Sequence, residues 1–440
     1  MNKKIKPEHF KRLEEYISMP TVSTQPQNPA MAEALEWWRE LFDKAGVYQT
    51  KVLKAGDAYP GILAMTKPDK KKKTLLVYGH LDVQPPGDSA EWSSDPYKLA
   101  LRGGYLFGRG IADNKGQHLA VILAMLDLVE QGKPLNYNVK ILLEANEETG
   151  SLGLDWMLKK YARQLEADFY VGIDGSMIAK DQPTIYQGCK GINYYRLTVR
   201  GSKRELHSGY YGMLVYNPAI QLAKFLGGLT DQDGLIAVPG VRVVADGGFE
   251  RREVEVREMF GPEDEPRIRK EDLGKLISTQ ERESTLDVHS LRSGGEPDQV
   301  KTAIPTQAVA SFSIRTAPGS EAKRVDEAIQ QHAWRFFAKT SLEYELELVI
   351  AADPGMAGGE SLMVEKIANS LRVVSGVEPV ITNLSATLPV FSQVAKVYHQ
   401  PFVLVGFAAP DSNQHAVDEK LPVENFLLAQ RFVTRLLTQG

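Results

Sequence analysis

From the N-terminus to about Asp174, short apolar runs alternate with longer helical stretches. Thr74 to Tyr78 (TLLVY), Val139 to Ala145 (VKILLEA) and Phe169 to Ile173 (FYVGI) are apolar at most successive positions. Such runs predict strands buried on both faces, as in a parallel sheet covered by helices. Between the first two, His118 to Glu130 (HLAVILAMLDLVE) is apolar almost all round and long enough for a buried helix. Near the other end, Phe402 to Val405 (FVLV) predicts a further buried strand, and Val423 to Leu437 predicts a closing amphipathic helix. The α/β pattern therefore brackets the middle of the chain.

The middle has a different period. Ile192 to Val199 (INYYRLTV) and Ala308 to Ile314 (AVASFSI) alternate polar and apolar residues, as half-exposed antiparallel strands do. Asn217 to Leu226 and Ala322 to Phe337 have helical spacing. The expected architecture is an α/β domain, residues 1–184 and 353–440, with a mainly parallel sheet and helices on both faces. An α+β domain, residues 185–352, is inserted into it. Gly247 to Gln299 is rich in charge, Gly and Pro and predicts long loops, and Lys70 to Lys73 reads as a solvated turn before a strand.

Composition narrows the function classes. A chain of 440 residues exceeds what one core serves, ~250 to 300 residues, which agrees with two domains. A net charge of -4 provides no broad basic field, which argues against nucleic acid and favours a small-molecule partner. Cys189 is the only cysteine, so no internal disulfide forms and a reducing compartment is expected. The N-terminal segment has no apolar core, and no run approaches the ~18 to 20 residues of a membrane helix, so the expectation is a cytoplasmic protein without membrane association.

In open parallel α/β sheets, ligands bind beyond the carboxyl ends of the strands. Thr74 to Tyr78 runs into Gly79-His80-Leu81-Asp82, Val139 to Ala145 into Asn146-Glu147-Glu148, and Phe169 to Ile173 into Asp174. After Phe402 to Val405 comes a loop with Asn413-Gln414-His415, and Asp113 follows the Gly108-Arg109-Gly110 turn just before a buried helix. Taken alone, Asp113 reads equally as a helix N-cap. Together, His80, Asp113, Glu148, Asp174 and His415 give two imidazoles and three carboxylates on one sheet edge, a donor set for Zn, Co or Mn with Zn the first choice. If one carboxylate bridges, five ligands serve two ions and each keeps an open position. Asp82 is placed to accept the ring N-H of His80, and Glu147 to act as general base. His9, His118, His289, His332 and His399 have no such context and read as structural.

The motifs GHLDVQPPG, GRGIADNKG, EANEETGS, GIDGS and NQH, in that order, resemble those of the di-zinc aminoacylase, carboxypeptidase and dipeptidase superfamily. The spacer EWSSDPYKLALRGGYLFGRG is most similar to its carnosinase-type dipeptidase branch. The resemblance implies that His80 and Asp174 hold one ion, Glu148 and His415 the other, that Asp113 bridges and that Glu147 is the base. It further implies that the inserted domain is a dimerising lid bringing His207, Thr302 and Arg315 near the substrate. The expected function is hydrolysis of dipeptides or similar small peptides by a metal-bound hydroxide in a homodimer. Alternatives are a deacylase or carboxypeptidase acting on N-acyl or N-carbamoyl amino acids, and a catalytically silent metal-binding scaffold. Two departures bear on the substrate pocket: Asn383 to Pro389 (NLSATLP) stands where the branch carries a Gly-Gly-Ser turn before Ile-Pro, and Asn114 stands where it often has a second Asp.

Overall fold

The structure is a computed structural model; it describes residues 4–245, 253–258, 269, 272–296, 298, 300–356, 362–400 and 402–439. Its largest sheet has nine strands among the described residues. In spatial order these are Gln49–Ala55, Ala58–Met65, Asn138–Glu144, Thr74–His80, Phe169–Ile173, Phe402–Gly406, Thr184–Cys189 and Gly355–Met356, with Val380–Leu384 also pairing with Thr184–Cys189. The four central strands, Asn138–Glu144 to Phe402–Gly406, run parallel, and antiparallel pairs occur towards both margins. The apolar runs read from the sequence are these four. The margins were not legible, because Gln49–Ala55 exposes much of its length and Gly355–Met356 is two residues long.

Successive residues of each central strand enter different cores, which is why those runs are apolar without alternation. Leu75, Val77, Val171 and Val405 pack with the helices Lys115–Glu130, Leu362–Ser375 and Val423–Thr438 on one face. Leu76, Tyr78, Tyr170 and Leu404 pack with Leu154–Lys160 and Pro389–Tyr398 on the other. The helix Lys115–Glu130 is buried on nearly every side as far as Leu126. Gly79 lets this helix approach the sheet, since a Cβ there would stand 2.9 Å from the Cβ of His118. No helix among the described residues is long and apolar enough to cross a membrane.

The second sheet is antiparallel, in the order Thr285–Ser293, Gln307–Thr316, Gly191–Arg200, Glu343–Ala352. One face packs against the helices Pro218–Gly227 and Ala322–Phe337 around Tyr195, Leu197, Phe312 and Ile314. On the other face the ion pairs Arg196–Glu347 and Arg200–Glu345 are exposed, which accounts for the alternation in sequence. The chain leaves the large sheet after Cys189 and enters the second at Gly191. A Cβ at Gly191 would stand 2.3 Å from Thr316 Oγ1 and 2.5 Å from the Ala352 carbonyl, so only glycine fits this junction.

The expected loops from Gly247 to Gln299 are corrected in part. Residues 247–252, 259–268, 270–271, 297 and 299 lie outside the described residues. The rest includes the helices Glu253–Glu258 and Leu273–Arg282 and the strand Thr285–Ser293. That strand lies at the sheet edge with most side chains exposed or half-exposed, so backbone pairing holds it and no apolar face marks it in the sequence.

Candidate metal centre

The parallel ladder puts His80 opposite Glu144, and the Leu81 N-H donates to the Glu144 carbonyl at 2.7 Å. Two residues past the Asn138–Glu144 strand, Glu147–Thr149 forms a tight helical turn that ends at Gly150 with φ of 85°. Phe169–Ile173 delivers Asp174, whose N-H donates to the Val405 carbonyl at 3.2 Å. His415 lies in the loop after Phe402–Gly406, and Asp113 ends the turn before the helix Lys115–Glu130, with a cis peptide to Asn114.

These residues converge on Asp113. Its Oδ1 lies 3.2 Å from His80 Nε2 and its Oδ2 lies 3.0 Å from His415 Nε2. His415 Nε2 also stands 3.1 Å from Glu148 Oε2, while His80 Nε2 stands 3.6 Å from Asp174 Oδ2 and 4.0 Å from Glu147 Oε2. Ligand atoms of His80, Asp113 and Glu148 all fall within 4.8 Å of one another. All five candidate ligands are thus brought together, with Glu147 beside them.

The donor chemistry fits divalent cations. Four carboxylates, mostly buried, face two imidazoles, an arrangement that favours additional positive charge. Glu148 Oε1 is buried with no hydrogen-bond partner, as a ligand atom turned towards an ion would be. Burial pushes Glu147 well above the usual carboxylate range despite the charge of His80, and burial together with Asp113 pushes Asp174 up to about 7. Burial also acts to raise Asp113, but hydrogen bonds from His415 and His80 outweigh it and hold that carboxyl low. Hydrogen bonds to Asp113 and Glu148 push His415 up to about 11. Burial acts to lower His80, yet Asp113, Asp82, Glu147 and Asp174 together raise it well above the usual imidazole value. The same field that favours imidazolium favours metal ions.

Asp82 has a larger part than expected. The acceptor nearest His80 Nδ1 is the Asp82 carbonyl at 3.0 Å, with the carboxylate at 3.5 Å. The Asp82 carboxylate accepts the N-H groups of Glu147 at 3.2 Å and Glu148 at 3.0 Å, fixing the turn that presents both acids. Asn114 Oδ1 accepts from the His80 N-H and contacts His118 Nδ1, while its Nδ2 donates to the Ile173 carbonyl just before Asp174. His118, read as structural, is buried in contact with this tie. The other four read so make local contacts: His9 with Asp127 and Gln430, His289 with Ser313, His332 with Phe225, while His399 ends a helix at positive φ.

A cavity of about 440 Å³ opens beside the cluster, lined by Asp113, Glu147, Asp174 and His415 and also by Arg315 and the 382–388 segment. Burial lowers the Arg315 guanidinium somewhat. His207 and Thr302 do not line this cavity. They lie together where Leu206–His207 pairs with Ala303–Ile304, and the Ser208 N-H donates to the Thr302 carbonyl at 3.0 Å. Sequence reading passed over Arg109 and Glu419, a buried ion pair at 2.6 Å that supports the Asp113 turn. Their only signal was an Arg between glycines and an acid four residues after His415, and neither implies burial.

The sequence profile of peptidase family M20/M25/M40 matches residues 76–439. The chain belongs to this family. Human Beta-Ala-His dipeptidase is 29% identical over 382 residues, 84% of this chain and 75% of that protein. The Cys-Gly metallodipeptidase of Saccharomyces cerevisiae is 26% identical, over 96% of this chain and 93% of that one. Among solved structures, an M20 family metallo-carboxypeptidase from Sulfolobus solfataricus superposes with a TM-score of 0.85 at 27% identity, covering 98% of both chains. This M20 chain is a hydrolytic metallopeptidase, and its similarities match the carnosinase-like dipeptidase branch.

Proposed function

We propose that this chain is a dipeptidase in which His80, Asp113, Glu148, Asp174 and His415 hold two divalent ions, Zn by preference, beside a cavity for a small peptide. One observation carries this reading. The two oxygens of Asp113 face different imidazoles at 3.2 and 3.0 Å, and each imidazole has a further carboxylate beside it. When bound, two such ions polarise a peptide carbonyl and acidify water. Glu147 lies at the cavity wall, takes the proton of the attacking water and returns it to the leaving amine. The Arg315 guanidinium, which also lines the cavity, pairs with the substrate carboxylate. The relatives named for Beta-Ala-His and Cys-Gly support a dipeptide substrate.

The inserted segment, which begins at Gly191 and not at residue 185 because Thr184–Cys189 is a strand of the large sheet, runs to Ala352 and forms a lid through which two chains pair, so that His207 and Thr302 serve the partner's cavity and His207 donates to the developing oxyanion. Beside His207, Tyr210 and Leu214 are each 77% exposed and Met213 is fully exposed, an apolar surface suited to cover by a second copy. We place this homodimer in the cytoplasm, in keeping with its buried free thiol, Cys189.

The test removes metal with a chelator, restores Zn, Co or Mn, and assays dipeptides beside N-acyl and N-carbamoyl amino acids. Dipeptide turnover lost and regained supports the proposal. Turnover of acyl or carbamoyl substrates alone replaces dipeptidase by deacylase. Two bound ions with no turnover of any substrate leaves a silent scaffold.

A further inference from the structure

The two imidazoles of the centre are held in different ways. His80 ends a strand paired on both sides, and Asp174 directly follows a strand and bonds to the neighbouring one. His415 lies in an irregular loop, at φ of 62° and with its side chain 53% exposed, so no ladder fixes it. Its position relative to Asp113 depends on what ties that loop to the Gly108–Asp113 turn.

The tie is Glu419, which is fully buried. Its Oε2 accepts from Arg109 Nη1 at 2.6 Å and the Gly110 N-H at 2.9 Å, and its Oε1 accepts from the Ala112 N-H at 2.8 Å and the Asp113 N-H at 2.9 Å. Its own carbonyl accepts from the Gly108 N-H at 3.1 Å. Arg109 then reaches back through Nη2 to the carbonyl of Ala416, next to His415, at 3.1 Å, and to that of Pro85 at 3.3 Å. One carboxylate thus gathers three backbone donors of the turn carrying Asp113, and its counter-ion grips the loop carrying His415. Charge-assisted hydrogen bonds of this kind are stronger and more directional than neutral ones, and a buried carboxylate with all its acceptor sites engaged resists displacement.

We propose that Glu419 is a positioning residue that sets the affinity of one ion of the pair, the one shared by Asp113, Glu148 and His415, while the ion at His80 and Asp174 depends on the sheet. The inference rests on the two-ion reading above. Loss of Glu419 loosens two of the three groups around the first ion and one of three around the second. Glu148 is held separately, by Asp82 at its N-H and by Gln84 Nε2 at its carboxylate at 3.0 Å. Changes to residues that orient metal ligands cost about 10 to 100-fold in metal affinity, and here the larger part of the cost falls on one ion.

The experiment measures stepwise zinc binding in chelator-buffered solution, with elemental analysis for stoichiometry and circular dichroism for fold, on wild type, Glu419→Gln and the double variant Arg109→Met/Glu419→Met. The double variant removes both charges of the buried pair together, so that neither is left buried without its counter-ion. We expect one step weakened by at least about tenfold and the other within about threefold in both variants. His80→Ala should abolish the step that survives, and His415→Ala should spare it. Equal weakening of both steps, or no change in a folded variant, overturns the proposal. Failure of both variants to fold also overturns it, by making Glu419 a determinant of folding. A wild-type chain that does not bind two ions removes the two-ion reading itself, a result separable from any effect of Glu419.

Discussion

The large sheet and the smaller antiparallel sheet each supply candidate functional residues, but they hold them differently. At the rim of the large sheet, His80, Asp113, Glu147, Glu148 and Asp174 stand on strand ends and tight turns with mostly buried side chains, and His415 joins them from one loop of the same chain. Among the described residues of the smaller sheet only Arg315 lines the cavity, while His207 is exposed and lies off the sheet beside a bare apolar segment. Strands buried on both faces hold the residues that follow them through backbone pairing, so these candidate ligands all come from one chain. A half-exposed sheet presents residues outward, and these acquire a role when another body meets them.

The comparison breaks first if the rim is not a two-ion site. Asp113→Ala should release both ions together and abolish turnover, because each Asp113 oxygen faces a different imidazole. Elemental analysis should find well under one ion per chain, and one ion kept at full affinity would show that Asp113 does not bridge. The next largest effect is that of Glu147→Gln, which on the proposed reading removes the proton carrier and spares the ligands. We expect kcat to fall by about 10²- to 10⁴-fold with two ions still bound. Loss of metal in that variant would exchange the roles of Glu147 and Glu148.

The same contrast explains what was legible in the sequence. The four central strands were read because burial on both faces leaves an unbroken apolar signature, and the rim residues because they follow such runs, except Asp113, which was read from the glycine turn before a buried helix. Thr285–Ser293 was read as loop because an exposed edge strand needs no apolar face. Glu419 was passed over because its partners are backbone N-H groups and an arginine some 300 residues away in sequence. Asp82 was given the right neighbourhood but only part of its role, since bonds to Glu147 and Glu148 depend on how the two strand ends approach. Local pattern shows which residues are buried; long-range hydrogen bonds depend on topology.

A smaller effect tests the junction between the sheets. Lys190 is buried there, and its Nζ donates to the carbonyls of Gln280 and of Glu283, the latter at 2.7 Å, while its N-H donates to the Leu384 and Ala386 carbonyls at 3.1 and 3.2 Å. It thus ties the end of the helix Leu273–Arg282 to the cavity wall. Lys190→Met should raise KM by about tenfold, roughly 1.4 kcal/mol, with metal content unchanged and kcat less affected, and Lys190→Arg should recover part of the loss. Equal falls in kcat and kcat/KM would place the effect on the chemistry and not on the wall.

The smallest effect is also the most specific to the second sheet. If His207 serves the partner's cavity, Glu147→Ala and His207→Ala chains are each inactive as homodimers for different reasons. When the two are co-expressed, half of the dimers formed by random pairing are mixed. In a mixed two-fold dimer one site collects both lesions, and the other has an intact Glu147 from one chain and an intact His207 from its partner. Roughly a quarter of wild-type activity per site should therefore return in the unselected mixture, and roughly half in purified mixed dimers. The measurement is activity of co-purified mixed dimers, selected by two different affinity tags, against each homodimer and wild type. Removing the apolar cover by Met213→Ser/Leu214→Ser should abolish the recovery by separating the chains, with metal content unchanged because the rim lies wholly within one chain. Mixed dimers that form and stay inactive would put His207 in its own chain's site or outside catalysis, and the smaller sheet would then have no shared function to distinguish it from the larger.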